Sequence, residues 1–455
     1  MENKKYATLR DILSTMNAAD IAQLFDDLEQ PMLPLLFRLL PKELAAETFV
    51  EMETDQQQQL IRGLSDSELK EVVDELYIDD AVDIVEEMPA NVVKRILAQA
   101  DPDTRKMINE LLQYPEDSAG SIMTVEFVEL RPHLTVEDAI KAIRRTGVDK
   151  ETINVCYVTR ADRTLLGYIS IRKLILAQPD TLIGDLADTN VLYCSTMDDQ
   201  ETVAQMLHKY DLIALPVVDG EKRLVGIVTI DDAIDVLQDE VTEDIEKMAA
   251  MTPSDKPYLR TSNLSLFLHR IPWLVALMLA ATFTELIINY YTSRLDMFGE
   301  IAGAMLIACI PMLMGTGGNS GSQASVTVIR GLSLNEIEFS DTLAVIWKEF
   351  RVSLLCGAAL SVINFGKMLL MNVLVYHRTG AAFHAYLLAS ISICVAILAT
   401  VFVAKLIGCT LPIAAKKIGF DPAVMAGPFI TTIVDVTTLL LLFGIAKAIL
   451  LPFSA

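Results

Sequence analysis

The sequence predicts an α-helical polytopic membrane protein with five transmembrane helices, preceded by a cytosolic α-helical superhelical domain and a tandem α+β module. Three observations predict it. Five apolar runs follow residue 270, at about 272–291, 301–329, 350–375, 383–409 and 423–452, each long enough for the roughly 20 residues that cross a bilayer. An apolar or small residue returns at every twelfth position from Met16 to Leu112. A β-rich segment at 155–176 is repeated at 214–237. The chain divides accordingly into 1–117, 118–237 (as 118–190 and 191–237), an acidic helix and linker at 238–270, and 271–455.

The charge is as unevenly distributed as the hydrophobicity. Of the 455 residues 52% are hydrophobic, and the net charge is -23. Residues 1–260 hold 26 Lys and Arg against 51 Asp and Glu; residues 261–455 hold 11 against 9. Such an acidic surface repels nucleic acid and anionic lipid and attracts cations. Cys156, Cys194, Cys309, Cys356, Cys394 and Cys409 form no CxxC pair and no disulfide framework, which places the soluble part in a reducing compartment. The N-terminus has no apolar core before a cleavage site, so no cleaved signal peptide is expected.

The twelve-residue period runs through Met16, Leu28, Leu40, Met52, Leu64, Leu76, Met88, Ala100 and Leu112, and apolar pairs such as Leu24-Phe25, Leu60-Ile61 and Ile84-Val85 recur eight and nine residues after each start. LPKE, LSDSE and MPAN fall where short helices need caps. The pattern predicts a solenoid over 16–112 whose units bury their faces against their neighbours; a bare scaffold and a scaffold that also binds metal both fit.

In the duplicated segment, VCYVTRADRTLLGYISIRKLIL (155–176) matches ALPVVDGEKRLVGIVTIDDAIDVL (214–237), each copy preceded by a helical stretch, at 136–145 and 200–209. Each reads helix, buried β run, polar turn, β run with a glycine (Gly167, Gly226), helix. The pattern resembles a tandem pair of CBS domains. That resemblance implies an adenosine nucleotide such as ATP as a ligand, bound through Thr-x-x-Asp at the start of the last helix. Thr229 and Asp232 fit the signature, whereas the first copy has Ser170 and Lys173, so at most one site is complete.

The second copy runs into a helix carrying Asp231, Asp232, Asp235, Asp239, Glu240, Glu243, Asp244 and Glu246. Like charges three and four residues apart repel by a few tenths of a kcal/mol per pair. The helix presents either a solvated face or a surface that a cation neutralises. An EF-hand is excluded, because the glycine and the D-x-D-x-D spacing are missing.

Basic residues orient the spans. Arg260, Arg270, Arg330, Lys348, Arg351, Lys416 and Lys417 fall on one side and only Arg294 and Arg378 on the other, so the N-terminus is expected in the cytosol and the C-terminus outside the cell membrane. In the second span Pro311 precedes Gly315, Gly317, Gly318, Asn319, Ser320, Gly321, Ser322 and Gln323. So many small residues imply close packing, a broken helix or backbone lining water; packing does not explain Asn319 and Gln323. In the fifth span Asp421-Pro422 is expected to cap the helix, which puts Asp435 about 18 Å along it. A carboxylate there needs water, a partner or a cation. Pro428, Thr431, Asp435 and Thr438 share one helical stripe, and Pro428 leaves the Val424 carbonyl without its helical donor. Glu285 is expected to be the other buried acid, and Lys367, Lys405 and Lys447 to snorkel at span ends; Lys447 is also a possible salt-bridge partner for Asp435. Oxygen donors around a single carboxylate suit a hard divalent cation.

The order of solenoid, CBS pair, acidic helix and five spans resembles the MgtE family of magnesium channels, most specifically in GGNSGSQASVTVIRGL (317–332) and GFDPAVMAGPFITTIVDVTTLLLLFG (419–444). The resemblance implies a homodimer with its pore on the two-fold axis. It makes Asp435 the carboxylate that holds hydrated Mg²⁺, with the carbonyl of Thr431 facing the ion; Val424 and Asn319 complete the candidate pore set. It makes TEDIEKM a plug helix whose Glu243 and Asp244 act with Asp239 and Glu240 as regulatory acids. Asp79, Asp80 and Asp83 would face Asp232 and Asp235, and Asp198 and Asp199 would join them. The rival reading is a secondary transporter for another divalent cation or a small substrate, gated by nucleotide. An enzyme is not expected: there is no GxxxxGK[ST] loop, no HExxH and no histidine cluster.

Overall fold

The computed structural model describes residues 6–26, 28, 32–254, 258, 259 and 261–454; Arg260 lies outside them. It consists of two compact units, Met1–Gln238 and Asp239–Ala455.

Among the described residues of the first unit, nine short helices precede the duplicated segment: α1 (Tyr6–Leu13), α2 (Ala18–Asp26), α3 (Leu33–Phe37), α4 (Lys42–Val50), α5 (Thr54–Gly63), α6 (Asp66–Val73), α7 (Ile78–Glu87), α8 (Ala90–Gln99) and α9 (Pro102–Leu111). The twelve-residue period is one helix plus one joint. Leu40, Met52, Leu64, Met88 and Ala100 are buried at these joints. Helices pack two apart, α2 on α4, α4 on α6, α6 on α8 and α7 on α9, so two helices make one turn of a superhelix. The caps are chemical: Ser65 and Glu68 form a reciprocal capping box, and Asp101 caps α9 ahead of Pro102.

The CBS copies share one topology. The first contains β1 (Val128–Leu130), α10 (Val136–Thr146), β2 (Val155–Thr159), β3 (Leu165–Ser170), α11 (Ile171–Leu176) and α12 (Ile183–Leu186). The second contains β4 (Cys194–Ser195), α13 (Gln200–Lys209), β5 (Ala214–Val218), β6 (Leu224–Thr229) and the start of α14 (Ile230–Met248). In each sheet the first strand is parallel and the last antiparallel to the middle one. Thr124 exchanges two backbone hydrogen bonds with Ile227, which lashes the start of the first copy to the second. A Cβ on Gly226 would stand 2.9 Å from the Thr124 carbonyl, so this close approach requires glycine.

The acidic helix follows the second copy directly, as its sequence predicts. It continues the last helix of the second copy without a break and ends at Met248.

The second unit holds five helices long and apolar enough to span a membrane: α15 (Asn263–Thr292), α16 (Glu300–Ser333), α17 (Thr342–Met371), α18 (Gly380–Lys417) and α19 (Gly427–Ser454). The first starts ahead of residue 271. Helix α16 runs unbroken through Pro311 and its glycines, so close packing prevails over a broken helix. A Cβ on Gly317 would lie 2.7 Å from Thr400 Cγ2 and 2.9 Å from Thr438 Oγ1; one on Gly318 would lie 2.9 Å from Thr431 Cγ2. The small residues let α16 approach α18 and α19 nearly backbone to side chain.

Candidate functional site

The first group of acids is built at the start of α7. Its first backbone N–H, from Ile78, donates to Glu126 Oε2 at 3.0 Å, and Glu151 N donates to the Glu126 carbonyl at 2.9 Å. Two carboxylates from the first CBS copy are thereby tied to the helix end that bears Asp79 and Asp80. Asp79 is 8% exposed, and its Oδ1 has no hydrogen-bond partner among the described residues.

Burial first, then repulsion from Glu126 and Asp231, pushes Asp79 up to about 6. Half-buried Asp80 rises to about 8 through burial and the charges of Asp79, Glu151, Asp83 and Asp232. Glu151 rises to about 8 and Asp232 to about 7, again from burial first and then from Asp79 and Asp231. Asp83 and Asp235 are also raised, chiefly by burial, but both side chains reach solvent, which screens them. Among the described residues no Lys or Arg forms a salt bridge with Asp79, Asp80, Asp83, Glu151 or Asp232. Nor do any three Asp, Glu, His or Cys side chains among them stand where they could hold an ion directly. The acids feel one another's charge without converging on a point.

The second group lies in the membrane unit, at the end of α14. Lys247 Nζ bridges Glu243 at 2.6 Å and Asp421 at 2.7 Å. Burial opposes its charge, but these two carboxylates hold its proton more tightly than usual. Asp244 is raised by burial and by Asp421. Met248 packs on Ile329, Ala423 and Ala426.

The fifth span differs in detail from the sequence expectation. Asp421 accepts from Ala423 N at 2.7 Å and caps a short 3₁₀ turn, Pro422–Met425. The long helix restarts at Gly427, so Asp435 lies about 12 Å along it rather than 18 Å. Val424 and Pro428 accordingly lie at the entrance of the helix. The Pro428 carbonyl accepts from both Thr431 Oγ1 and Thr432 Oγ1. Thr431 and Thr438 face the glycines of α16, and Thr438 Oγ1 is buried without a partner among the described residues. Half-buried Asp435 lies on the same stripe, and it forms no hydrogen bond or salt bridge among the described residues. Lys447 is exposed and does not pair with it.

The comparisons with known proteins add the family. A profile described as MgtE intracellular N domain matches residues 16–117, CBS domain profiles match 119–180 and 183–239, and one described as Divalent cation transporter matches 310–445. The magnesium transporter MgtE of Thermus thermophilus is 36% identical over 97% of this chain and 95% of its own length. The chain belongs to the MgtE family. The magnesium transporter MgtE of Bacillus subtilis is 31% identical over 98% of this chain and 95% of its own. A crystal structure of the soluble part of a magnesium transporter is 32% identical, covering 52% of this chain and 94% of that one, with a TM-score of 0.50. This MgtE chain is therefore a divalent-cation transporter family member with an intracellular N domain, a CBS pair and a membrane part.

The remaining candidate residues of this MgtE chain stand in varied settings. Asp198 accepts from Ser195 N at 2.8 Å, and Asp199 caps α13 by accepting from Thr202 N at 3.0 Å, so both are engaged in local structure. Thr229 donates its hydroxyl to Asp232 at 2.5 Å, joining the two residues of the nucleotide signature, while Ser170 caps Lys173 N at 3.3 Å. Asn319 and Gln323 lie on the exposed face of α16, opposite the packed glycines. Asp239 is exposed and Glu240 half-buried. Glu285 is exposed on α15, a correction to its expected burial: α15 buries none of its residues. Lys405 is also corrected. It does not snorkel but is buried, paired with Glu349 at 3.3 Å, because its position on α18 faces α17. Sequence reasoning missed Glu126 and Glu151. Both sit in irregular segments with no period to mark them, and only the fold brings them to Asp79.

Proposed function

We propose that the chain is a magnesium-selective channel for Mg²⁺ uptake, working as a homodimer in the cell membrane with its C-terminus outside, and that cytosolic Mg²⁺ closes it. The observation that carries the reading is the gathering of buried and half-buried, mutually repelling carboxylates from α7, the first CBS copy and α14, with no salt bridge from a Lys or Arg to Asp79, Asp80, Glu151 or Asp232 among the described residues. Two such charges 4 Å apart repel by roughly 4 kcal/mol at an effective dielectric of 20. Mg²⁺ relieves that repulsion, and because it dehydrates reluctantly it binds through its own waters, which suits acids that do not converge. Moving a gate from mostly open to mostly closed takes about 5.5 kcal/mol of differential binding, within reach of a few such pairs.

Asp435 supplies the carboxylate for the hydrated ion in the pore, with Thr431, Val424 and Asn319 as neighbouring oxygen donors. The outward-facing Asn319 and Gln323 give a second copy a polar face to meet at membrane depth. Glu243 and Asp244 form a separate acidic site at the end of α14, with Asp239 and Glu240 one turn earlier. Closure draws on both sites, each within its own unit, and α14 is the covalent link between them.

The test is Mg²⁺ flux into liposomes, with Mg²⁺ varied on the face bearing the N domain. Asp435→Ala is expected to abolish flux. Asp79→Asn, Asp80→Asn and Asp232→Asn together are expected to leave flux running at high cytosolic Mg²⁺. Normal flux through Asp435→Ala removes the pore assignment, and undiminished inhibition of the triple variant removes the sensor. Flux that requires a proton or sodium gradient would favour a coupled transporter instead.

A further inference from the structure

Between α17 and α18 lies a cavity of about 240 Å³ lined by apolar side chains alone, Ile346, Trp347, Phe350, Phe402 and Leu406. Its walls are ordered by ring contacts: Trp347 stacks on Phe350 at 5.2 Å between centroids, and Phe350 meets Phe402 edge-on at 5.6 Å. Yet Trp347 remains 59% exposed, so the cavity opens on the outer surface of the helix bundle. With the N domain intracellular, the start of α17 lies at the cytosolic face, and Trp347 and Arg351 sit where the apolar run of the third span begins. That is the level of a bilayer where tryptophan and arginine meet lipid headgroups.

The charges around the opening are not balanced. Glu349 is engaged by Lys405. Arg351 lies over the Trp347 ring, 5.9 Å from its centroid, and its Nε donates to the Trp347 carbonyl at 3.4 Å. Neither Arg351 nor Lys348 forms a salt bridge among the described residues. Asp341, the acid at the start of α17, is ten residues before Arg351, about 15 Å along the helix. An apolar slot under two uncompensated cations fits a molecule with a hydrocarbon tail and an anionic head.

We infer that the groove between α17 and α18 is a binding site for an anionic phospholipid of the cytosolic leaflet, with its phosphate at Arg351 and Lys348 and the upper part of one acyl chain between Trp347, Phe350 and Phe402. The site is distinct from the acids that handle the cation, and its readout does not depend on transport.

The chain has two tryptophans, Trp273 and Trp347, so Trp273→Phe leaves Trp347 as the sole reporter. The full-length protein is reconstituted in vesicles containing phosphatidylglycerol or phosphatidylcholine with brominated chains, at equal mole fraction. Brominated phosphatidylglycerol is expected to quench Trp347 more strongly. The relative binding constant should favour it about fivefold for each basic side chain engaged. Arg351→Gln with Lys348→Gln should bring the two lipids to parity, while Arg351→Lys should keep the preference and show that folding is not the cause. Equal quenching by both lipids in the parent protein overturns the inference, as does a preference that survives the double Gln substitution.

Discussion

Asp79 offers a quantitative handle on the acidic cluster. Its pKa rises from 3.8 to about 6 in the folded chain, so between those values the folded state binds more protons than the unfolded one, and stability falls as pH rises. From pH 4.5 to 8.5 this residue alone spans about 1.5 pH units of that window. At 1.36 kcal/mol per unit, that is about 2 kcal/mol, or roughly a thirtyfold change in the opening equilibrium. Asp80, Glu151 and Asp232 extend the window upward to about 7 or 8. The assay is hydrogen–deuterium exchange on the full-length protein, read as protection factors in α7 and the first turns of α14, with a chelator or with excess Mg²⁺. Protection is expected to drop at least thirtyfold over this range in chelator, and Mg²⁺ at pH 8.5 should restore it by mass action. Protection that stays level with pH in chelator would refute the reasoning, as would an undiminished drop in Asp79→Asn with Asp80→Asn.

Three further outcomes follow from the membrane unit. Gly317→Ala should lower thermal stability in detergent by an amount equivalent to about 1–3 kcal/mol, because its Cβ would crowd Thr400, Val434 and Thr438; Gly315→Ala, with nothing within 4 Å, should be nearly neutral in the same melt. Lys405→Met should cost about 3–5 kcal/mol by stranding Glu349, and adding Glu349→Leu should recover most of it, as a double-mutant cycle will show. Lys247→Ala removes the bridge between Glu243 and Asp421 and should raise the cytosolic Mg²⁺ needed for half-closure in the flux assay.

How much of this was legible depends on whether a feature is periodic. The solenoid helices announce themselves because each twelve-residue unit buries the same positions, and the CBS copies because two segments share one alternation and one glycine. Asp435 draws notice in the sequence because a lone carboxylate in an apolar run is expensive wherever it points. The restart of the last helix at Gly427 was not legible: Asp421-Pro422 is a sound cap, but it caps a single 3₁₀ turn, and the extended Ala426 with the positive φ of Gly427, 35°, separates that turn from the span. The depth of Lys405 was hidden for a different reason. Snorkelling and pairing differ only in which neighbouring helix a lysine faces, and that is a tertiary fact. Glu126 and Glu151 were invisible because a hydrogen bond to α7, 48 residues from Glu126, gathers them there.

The two acidic groups differ in how they stay folded without an ion, and this difference bears on control. Near Lys247 the carboxylates of Glu243 and Asp421 already have a cation of their own, held by chain geometry at 2.6 and 2.7 Å. Among the described residues no Lys or Arg forms a salt bridge with Asp79, Asp80 or Asp232, and protons or a metal would supply the positive charge there. A group with a built-in counter-charge gains little from a dilute ion, whereas one without it gains the full relief of its repulsion. In the proposed function, sensitivity to ion concentration would belong to the α7 cluster, and the Lys247 bridge would set how firmly the end of α14 is held. Helix α14 carries Asp232 and Lys247 without a break, and in the proposed function the same divalent ion would be both cargo at Asp435 and the signal that stops its entry.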